Sequence, residues 1–253
     1  MTFAALVLAG SRGEEDPVAA AAGVSHKGLA TVGGRTMLAR VIEALDAAGA
    51  GHIGVVTADP AIADAARALQ TRAPVEIVPA AASPSLSVQG GLTRLGAPLL
   101  VTTVDHALLR PEWIADFLQR VPPGTDIAAL LGEESVVQAA APGTRRTYLA
   151  FRDGRYSGCN LFYLATPGAA AALELWRRVE VHRKEPWRMA LLLGLGALIG
   201  YLTRRLTLGE AVAHLGRKAG VTATAVITPY GLAAVDVDKP SDLDLARSLE
   251  RGG

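Results

Sequence analysis

The chain has 253 residues, half of them hydrophobic, which is enough to bury a full core as one large domain or two closely packed ones. Its 25 basic and 24 acidic residues nearly cancel, so no charge excess draws it onto a nucleic-acid backbone or an anionic bilayer, and small-molecule chemistry is the expectation. The one cysteine, Cys159, excludes an intramolecular disulfide and favours a reducing compartment. The opening MTFAALVLAG lacks the basic region of a signal peptide, and a cytoplasmic protein is expected.

Strand-like and helix-like segments alternate along the first half. FAALVLA (3–9), HIGVVT (52–57), VEIVP (75–79) and PLLVTTV (98–104) are short Val/Leu/Ile-rich runs of the kind buried in parallel sheets. Between them, segments 36–49, 60–70 and 85–95 carry helical spacing. This rhythm predicts an α/β fold, a mostly parallel sheet flanked by helices, with ligands gathered at the carboxyl ends of the strands.

After residue 125 the pattern changes. DIAALLG (126–132), SVVQAAA (135–141), TYLAF (147–151) and GCNLFYL (158–164) read as extended, with a turn at RDGR (152–155). Residues 167–219 read as a helical block, VTATAVI (221–227) and LAAVDVD (232–238) as returning strands, and 240–250 as a final helix. The most apolar run, MALLLGLGALIGYL, is 14 residues long. That falls short of the roughly 20 that a spanning helix needs and predicts a buried helix. There is no repeat or flexible linker, so one domain with an inserted acceptor region is the simplest organisation.

The first strand runs into a small, charged loop, AALVLAGSRGEED (4–16). A P-loop needs G-x-x-x-x-G-K-[ST], and no such string occurs. A dinucleotide fingerprint needs three spaced glycines, and Gly10 and Gly13 supply two. Beyond the loop come Lys27, a Gly-Gly turn and a helix, in SHKGLATVGGRTMLARVIEAL (25–45).

That order resembles the amino-terminal signature of GT-A-type nucleotidyltransferases, namely the MobA-like molybdenum-cofactor guanylyltransferases and the cytidylyltransferases of isoprenoid and sugar-acid pathways. The resemblance continues at PSLSVQGGL (84–92), LLVTTVDHALL (99–109), SGCNLFYL (157–164) and AAVDVDKPSDLDLA (233–246), five stretches in the family's order. It implies a three-layer Rossmann-like fold of GT-A type over residues 1–253. A nucleotide-binding part would span 1–125 and an acceptor part 126–253, the latter holding the helical block and a metal-binding return strand at 232–238. One departure stands out: Arg12 comes early, and an Ala-rich insertion with acids Glu14, Glu15 and Asp16, expected to be solvated, separates Gly13 from Lys27.

The residues agree with the chemistry that this resemblance implies. Leu8, Ala9, Gly10, Ser11, Arg12 and Gly13 would cradle the triphosphate, as turns that aim backbone N–H groups at anions do. Lys27 would offset charge on the leaving pyrophosphate. Ser85, Ser87 and Gly91 are further nucleotide-binding candidates. Asp105 follows a strand, so its carboxylate emerges at the sheet's carboxyl edge, where the family binds Mg²⁺ (or Mn²⁺). Asp236 and Asp238 alternate with valines and would share one strand face, so either is a second ligand for a hard cation that takes one or two carboxylates. Pro240, Ser241 and Asp242 read as a capped helix start. His106 fits no metal-ligand spacing.

Gly158 and Asn160 are candidates for acceptor contact, and Arg183, Lys184 and Arg188 for an acceptor phosphate. The expected partners are a nucleoside triphosphate, CTP or GTP first, and a phosphorylated small molecule. Three alternatives carry different expectations: a GTP-specific molybdenum-cofactor guanylyltransferase, a non-catalytic nucleotide-binding module, and peripheral membrane use through 189–202. The last is disfavoured because that run has glycines at 194, 196 and 200 and little polar face.

Overall fold

The computed structural model describes residues 2–10, 16–182 and 194–251. The amino-terminal part contains β1 (Phe3–Leu8), α1 (Pro17–Ala22), the small β2 (Thr31–Val32) and β3 (Arg35–Thr36), α2 (Met37–Ala47), β4 (Ala50–Thr57), α3 (Pro60–Arg67), β5 (Val75–Pro79), α4 (Pro84–Leu95), β6 (Leu99–Thr103) and α5 (Pro111–Arg120). Then come β7 (Ile127–Glu133), α6 (Glu134–Ala140), β8 (Leu149–Phe151), β9 (Gly154–Leu164), α7 (Ala170–His182), α8 (Leu195–Leu202), α9 (Leu208–Ala219), β10 (Ala223–Thr228) and α10 (Pro240–Arg251).

Among the described residues the main sheet has eight strands, in the order β10-β7-β9-β6-β1-β4-β5 with β8 paired to β9. β1 pairs in parallel with β4 and β6, β4 with β5, and β7 with β10. Strand β9 lies antiparallel to β6, β7 and β8, so among the described strands it alone runs against the rest. The carboxyl ends of β1, β4, β5, β6, β7 and β10 therefore meet at one edge, where an open α/β sheet binds its ligands. This is the mostly parallel, helix-flanked sheet that the alternating pattern predicts.

Side-chain alternation along the strands builds two cores. In β1, Ala5 and Val7 face the cluster formed with α2, α3, α5 and α10, through Leu38, Ile42, Ile62 and Phe117, while Leu6 faces Val88, Leu92 and Leu173 of α4 and α7. Three layers result from that period of two. An apolar cavity of about 260 Å³ lies within the second layer between Val101, Phe162, Trp176 and Leu215, and among the described residues no charged side chain lines it.

Three segments depart from the sequence reading. SVVQAAA folds as α6, not as a strand: its β-branched pair suggested extension, but Val137 is buried on one helix face. LAAVDVD is no strand either. Gly231–Ala234 form a 3₁₀ turn, and the next residues run extended without sheet pairing. Close packing of Gly231 on α6 accounts for the turn, because a Cβ there would stand 2.3 Å from the Val136 carbonyl oxygen. Replacing Gly231 by alanine should therefore cost about 1–3 kcal/mol, read as a lower denaturation midpoint, since neighbouring backbone must move; an unchanged midpoint would show that this contact relaxes freely.

The third departure is the apolar run. Its residues 189–193 lie outside the described residues, and in α8 Ile199 and Leu202 are exposed, so the expected buried helix is corrected there. Part of the insertion after Gly13 is also ordered as α1. Asp16 caps it by accepting from the amides of Val18 at 2.8 Å and Ala19 at 3.2 Å, and Pro17 and Gly23 mark its two ends.

Candidate active site

The end of β6 places Asp105 at the carboxyl edge of the sheet. Its Oδ1 accepts from the Thr103 hydroxyl, two residues back in the strand, and its Oδ2 accepts from Lys27 Nζ at 2.6 Å. Lys27 reaches it from a 3₁₀ turn, Lys27–Leu29, which is capped by His26: the imidazole Nδ1 accepts from the Gly28 amide at 2.9 Å. The turn can approach β6 only because residue 28 is glycine, since a Cβ there would meet the Val104 side chain at 2.8 Å and that of Ile62 at 3.0 Å. Burial holds His26 below the usual histidine range, so its ring is neutral and free to accept.

The same ammonium reaches a second carboxylate, Asp238 Oδ1, at 3.3 Å. Burial works against its charge, but Asp105 and Asp238 together outweigh burial and raise the Lys27 pKa above the usual lysine range. Asp238 comes from the extended segment after the last 3₁₀ turn. That segment is tied to β6 by the Val237 amide, which donates to the Asp105 carbonyl at 3.0 Å. Although unpaired as a strand, it keeps the period of two: Val235 and Val237 are fully buried, while the Asp236 and Asp238 side chains are 17% and 59% exposed. Beyond it, Asp242 closes the start of α10 by accepting from the amides of Asp238 at 3.2 Å and Lys239 at 3.0 Å, the capping role expected of it.

The two return-segment aspartates do different things. Asp236 is enclosed: Arg146 pairs with its Oδ1, and Asn160 Nδ2 donates to its Oδ2 at 2.6 Å. Arg146 Nη2 also donates to the Asp236 carbonyl at 2.5 Å. Asn160 adopts φ +48° where the pairing of β7 with β9 shifts register, a bulge that turns its amide toward Asp236. Burial pulls the Arg146 guanidinium below the usual range, against the pull of Asp242 and Asp238. Replacing Asp236 by alanine strands a guanidinium that is 8% exposed and should cost about 3 kcal/mol, measured by denaturant unfolding. A loss well below 1 kcal/mol would show that water already reaches it.

The remaining candidates sort by placement. The Leu8 carbonyl accepts from Val104 at 3.0 Å and the Ala9 amide donates to Val56 at 2.9 Å, so these two serve the sheet, while Gly10 is exposed at the edge with no atom near its Cβ position. Ser85 and Ser87 are buried and engaged: Ser85 donates to Glu180 at 2.5 Å, and Ser87 accepts from the Ala81 amide at 3.0 Å. Gly91 lies against Leu6 in the helix-to-sheet contact. The helix cap is Ser83, whose hydroxyl accepts from the Leu86 amide at 3.3 Å. Gly158 is exposed on β9, two residues from Asn160. Ser11, Arg12, Gly13, Arg183, Lys184 and Arg188 lie outside the described residues.

His106 is a packing residue. Its Nδ1 lies 3.3 Å from the Thr102 hydroxyl, its ring stands beside Trp113, and burial pushes its pKa down to about 4. Cys159 is likewise inert, because burial pushes its thiol up to about 12. The sequence reading missed Arg146 and His26. Among the described residues, no group of three or more His, Cys, Asp or Glu is positioned to hold a metal ion. The site therefore consists of two carboxylates meeting at one ammonium, beside a glycine-opened strand end.

Comparison with known proteins bears on this arrangement. Among curated proteins, none matches the chain. A hypothetical transferase structure from Thermus thermophilus is 33% identical, covers 96% of this chain and 100% of its own, and superposes with a TM-score of 0.81. The structure of CMP:2-keto-3-deoxy-manno-octonic acid synthetase complexed with CTP is 17% identical over 98% of this chain and 99% of that chain, with a TM-score of 0.60. The 4-diphosphocytidyl-2C-methyl-D-erythritol synthase from Anaerococcus prevotii is 12% identical over 97% and 94%, with a TM-score of 0.59. These last two share the fold. The family described as MobA-like NTP transferase domain matches residues 5–181, from β1 through Lys27, Asp105 and Asn160 to α7, and the chain belongs to that family of nucleotidyltransferases.

Proposed function

We propose that the protein transfers a nucleoside monophosphate from a nucleoside triphosphate to a phosphorylated small-molecule acceptor, such as a sugar or alcohol phosphate, and releases pyrophosphate. The observation that carries this reading is the convergence of Asp105 and Asp238 on the Lys27 ammonium at the carboxyl edge of the sheet. CTP or GTP is the expected donor; the fold relative complexed with CTP supports a nucleotide on this scaffold. In this reading residues 1–125 hold the nucleotide and 126–253 the acceptor. The single buried cysteine supports a cytoplasmic setting.

An acceptor phosphate oxygen attacks the α-phosphorus in line, and the bond to the pyrophosphate oxygen breaks. The protein supplies no nucleophile, so its contribution is alignment and charge stabilisation. Gly10 leaves the end of β1 open for close approach of the triphosphate. Lys27 exchanges part of its carboxylate pairing for phosphate oxygens and stabilises negative charge on the leaving pyrophosphate. Asp105 and Asp238 suit Mg²⁺ or Mn²⁺: both are oxygen donors, they reach one common cation, and two protein carboxylates leave room for phosphate and water. Bound there, the metal would act as a Lewis acid on phosphate oxygens. Asp236, with both oxygens held by Arg146 and Asn160, is assigned to positioning. Asn160 and Gly158 line the acceptor side.

The test is pyrophosphate release with Mg²⁺ and each of CTP, GTP, UTP and ATP, in the presence of a pool of phosphorylated small molecules. Release with one nucleotide is expected. Tight nucleotide binding by calorimetry with no release for any acceptor in the pool would favour a non-catalytic nucleotide-binding module instead.

A further inference from the structure

Helix α8 reads LGALIGYL and carries one polar group, the Tyr201 hydroxyl. Its inner face is packed: Ala197, Leu198 and Tyr201 are half-buried, and the Tyr201 ring meets Phe151 of β8 edge-on at 5.4 Å. The outer face is not. Gly196, Ile199 and Leu202 succeed one another at three-residue spacing along one stripe, with Ile199 52% and Leu202 69% exposed. Leu149 shares a strand face with Phe151 and is 51% exposed, which carries the apolar surface onto β8. A surface helix ordinarily turns charge toward water, whereas one that is apolar all round is covered.

Cations border this surface. The chain leaves α8 through Thr203, Arg204 and Arg205, all exposed, in a turn fixed by Arg204 at φ +53° and by the Arg205 amide, which donates to the Gly200 carbonyl at 2.8 Å. The Arg152 amide donates to the Leu206 carbonyl at 2.9 Å, so the end of β8 lies against the same turn. Among the described residues Arg204 and Arg205 have no carboxylate partner, and Arg152 has Glu210 only at 4.0 Å. We propose that this patch docks the protein on an anionic phospholipid bilayer. Ile199, Leu202 and Leu149 enter the acyl boundary, and Arg152, Arg204 and Arg205 meet lipid phosphates.

The cations decide for a bilayer over a second copy of the chain. A two-fold contact through the patch would bring both sets of arginines together, whereas an anionic leaflet supplies the charge they lack. With a net charge of only +1, the chain has no overall pull toward lipid, so attraction is local to this patch. Among the described residues no helix is long and apolar enough to cross a membrane, and the polar face that α8 itself lacks, the ground on which the sequence disfavoured membrane use, is supplied by the exposed Arg152, Arg204 and Arg205 beside it.

The experiment is flotation of the full chain with vesicles of phosphatidylcholine alone and of equal parts phosphatidylcholine and phosphatidylglycerol. Flotation is expected with the mixed vesicles, weakened by salt, and not with the neutral ones. The double substitution I199E/L202E should abolish it. Substituting R204E/R205E should lower partition by roughly fivefold or more per arginine. All four positions face solvent, so circular dichroism and the thermal midpoint of these variants should match the parent. No flotation of the parent at low salt overturns the proposal, as does flotation that persists in I199E/L202E. A dimer seen by sedimentation that L202E dissolves, without flotation, would assign the patch to a second copy and overturn it equally.

Discussion

Replacing Asp105 by alanine should lower turnover by roughly 10²-fold or more, the scale on which an electrostatic stabiliser is lost from a phosphoryl-transfer site. Its two carboxylate oxygens have separate partners, the Thr103 hydroxyl and the Lys27 ammonium. Truncation therefore removes the charge proposed to meet a divalent cation and also releases Lys27 toward Asp238 alone. Asp105→Asn separates the two effects. It keeps the side-chain size and an oxygen to accept from Thr103 but removes the negative charge, and turnover should fall nearly as far as with alanine. The circular dichroism spectrum should be unchanged in both, because Asp105 caps nothing: α5 starts six residues on, at Pro111. Near-normal pyrophosphate release by a folded Asp105→Ala protein would sink the assignment.

Why Asp105 was visible in the sequence and Arg146 was not is a matter of range. Asp105 follows LLVTT, a run whose composition alone says buried parallel strand, so the carboxyl edge is predictable from local pattern and a rule of sheet architecture. The bounds of β5 were legible for the same reason, and helical spacing over 85–95 gave those of α4 to within one residue. Arg146 sits in a loop with no period, and its burial depends on Asp236, ninety positions away. His26 could have been noticed beside Lys27, but its role depends on a turn whose tightness is set by contact of Gly28 with Val104 and Ile62.

Where local pattern misled, tertiary packing had the deciding weight. Val136 and Val137 look like strand, but α6 must present its backbone to Gly231 and its buried face to the sheet. In V-D-V-D the period of two was correct and the pairing was not, because the side-chain alternation survives in an extended segment that has no strand beside it. The geometry also separates two carboxylates that the sequence could not tell apart: Asp236 is closed by Arg146 and Asn160, and Asp238 is open to solvent and to Lys27. In α8 the expectation of burial failed because composition does not say which face a neighbour covers.

Removing the Lys27 side chain should cost as much as removing Asp105, roughly 10²-fold or more in turnover, and should also weaken nucleotide binding in calorimetry. Among the described residues the ammonium is the cation that pairs directly with both carboxylates, so Lys27→Ala leaves Asp105 and Asp238 without the ion pair that joins them. A triphosphate arriving there without a divalent cation then meets like charge, and the loss of affinity should be steepest when metal is limiting. Lys27→Arg is expected to restore binding more than turnover, since a planar guanidinium keeps the charge but cannot reproduce the point contact at 2.6 Å. The raised pKa fixes the pH behaviour: the ammonium stays charged across neutral pH, so the stability it gains from the two carboxylates is fully present below the unfolded lysine pKa and is lost only as pH climbs through the folded value. The stability gap between the parent and Lys27→Ala should therefore be flat across neutral pH and close in strong alkali. A gap that closed near neutrality would mean that Lys27 does not hold its proton between these carboxylates, and the cation would have to come from elsewhere.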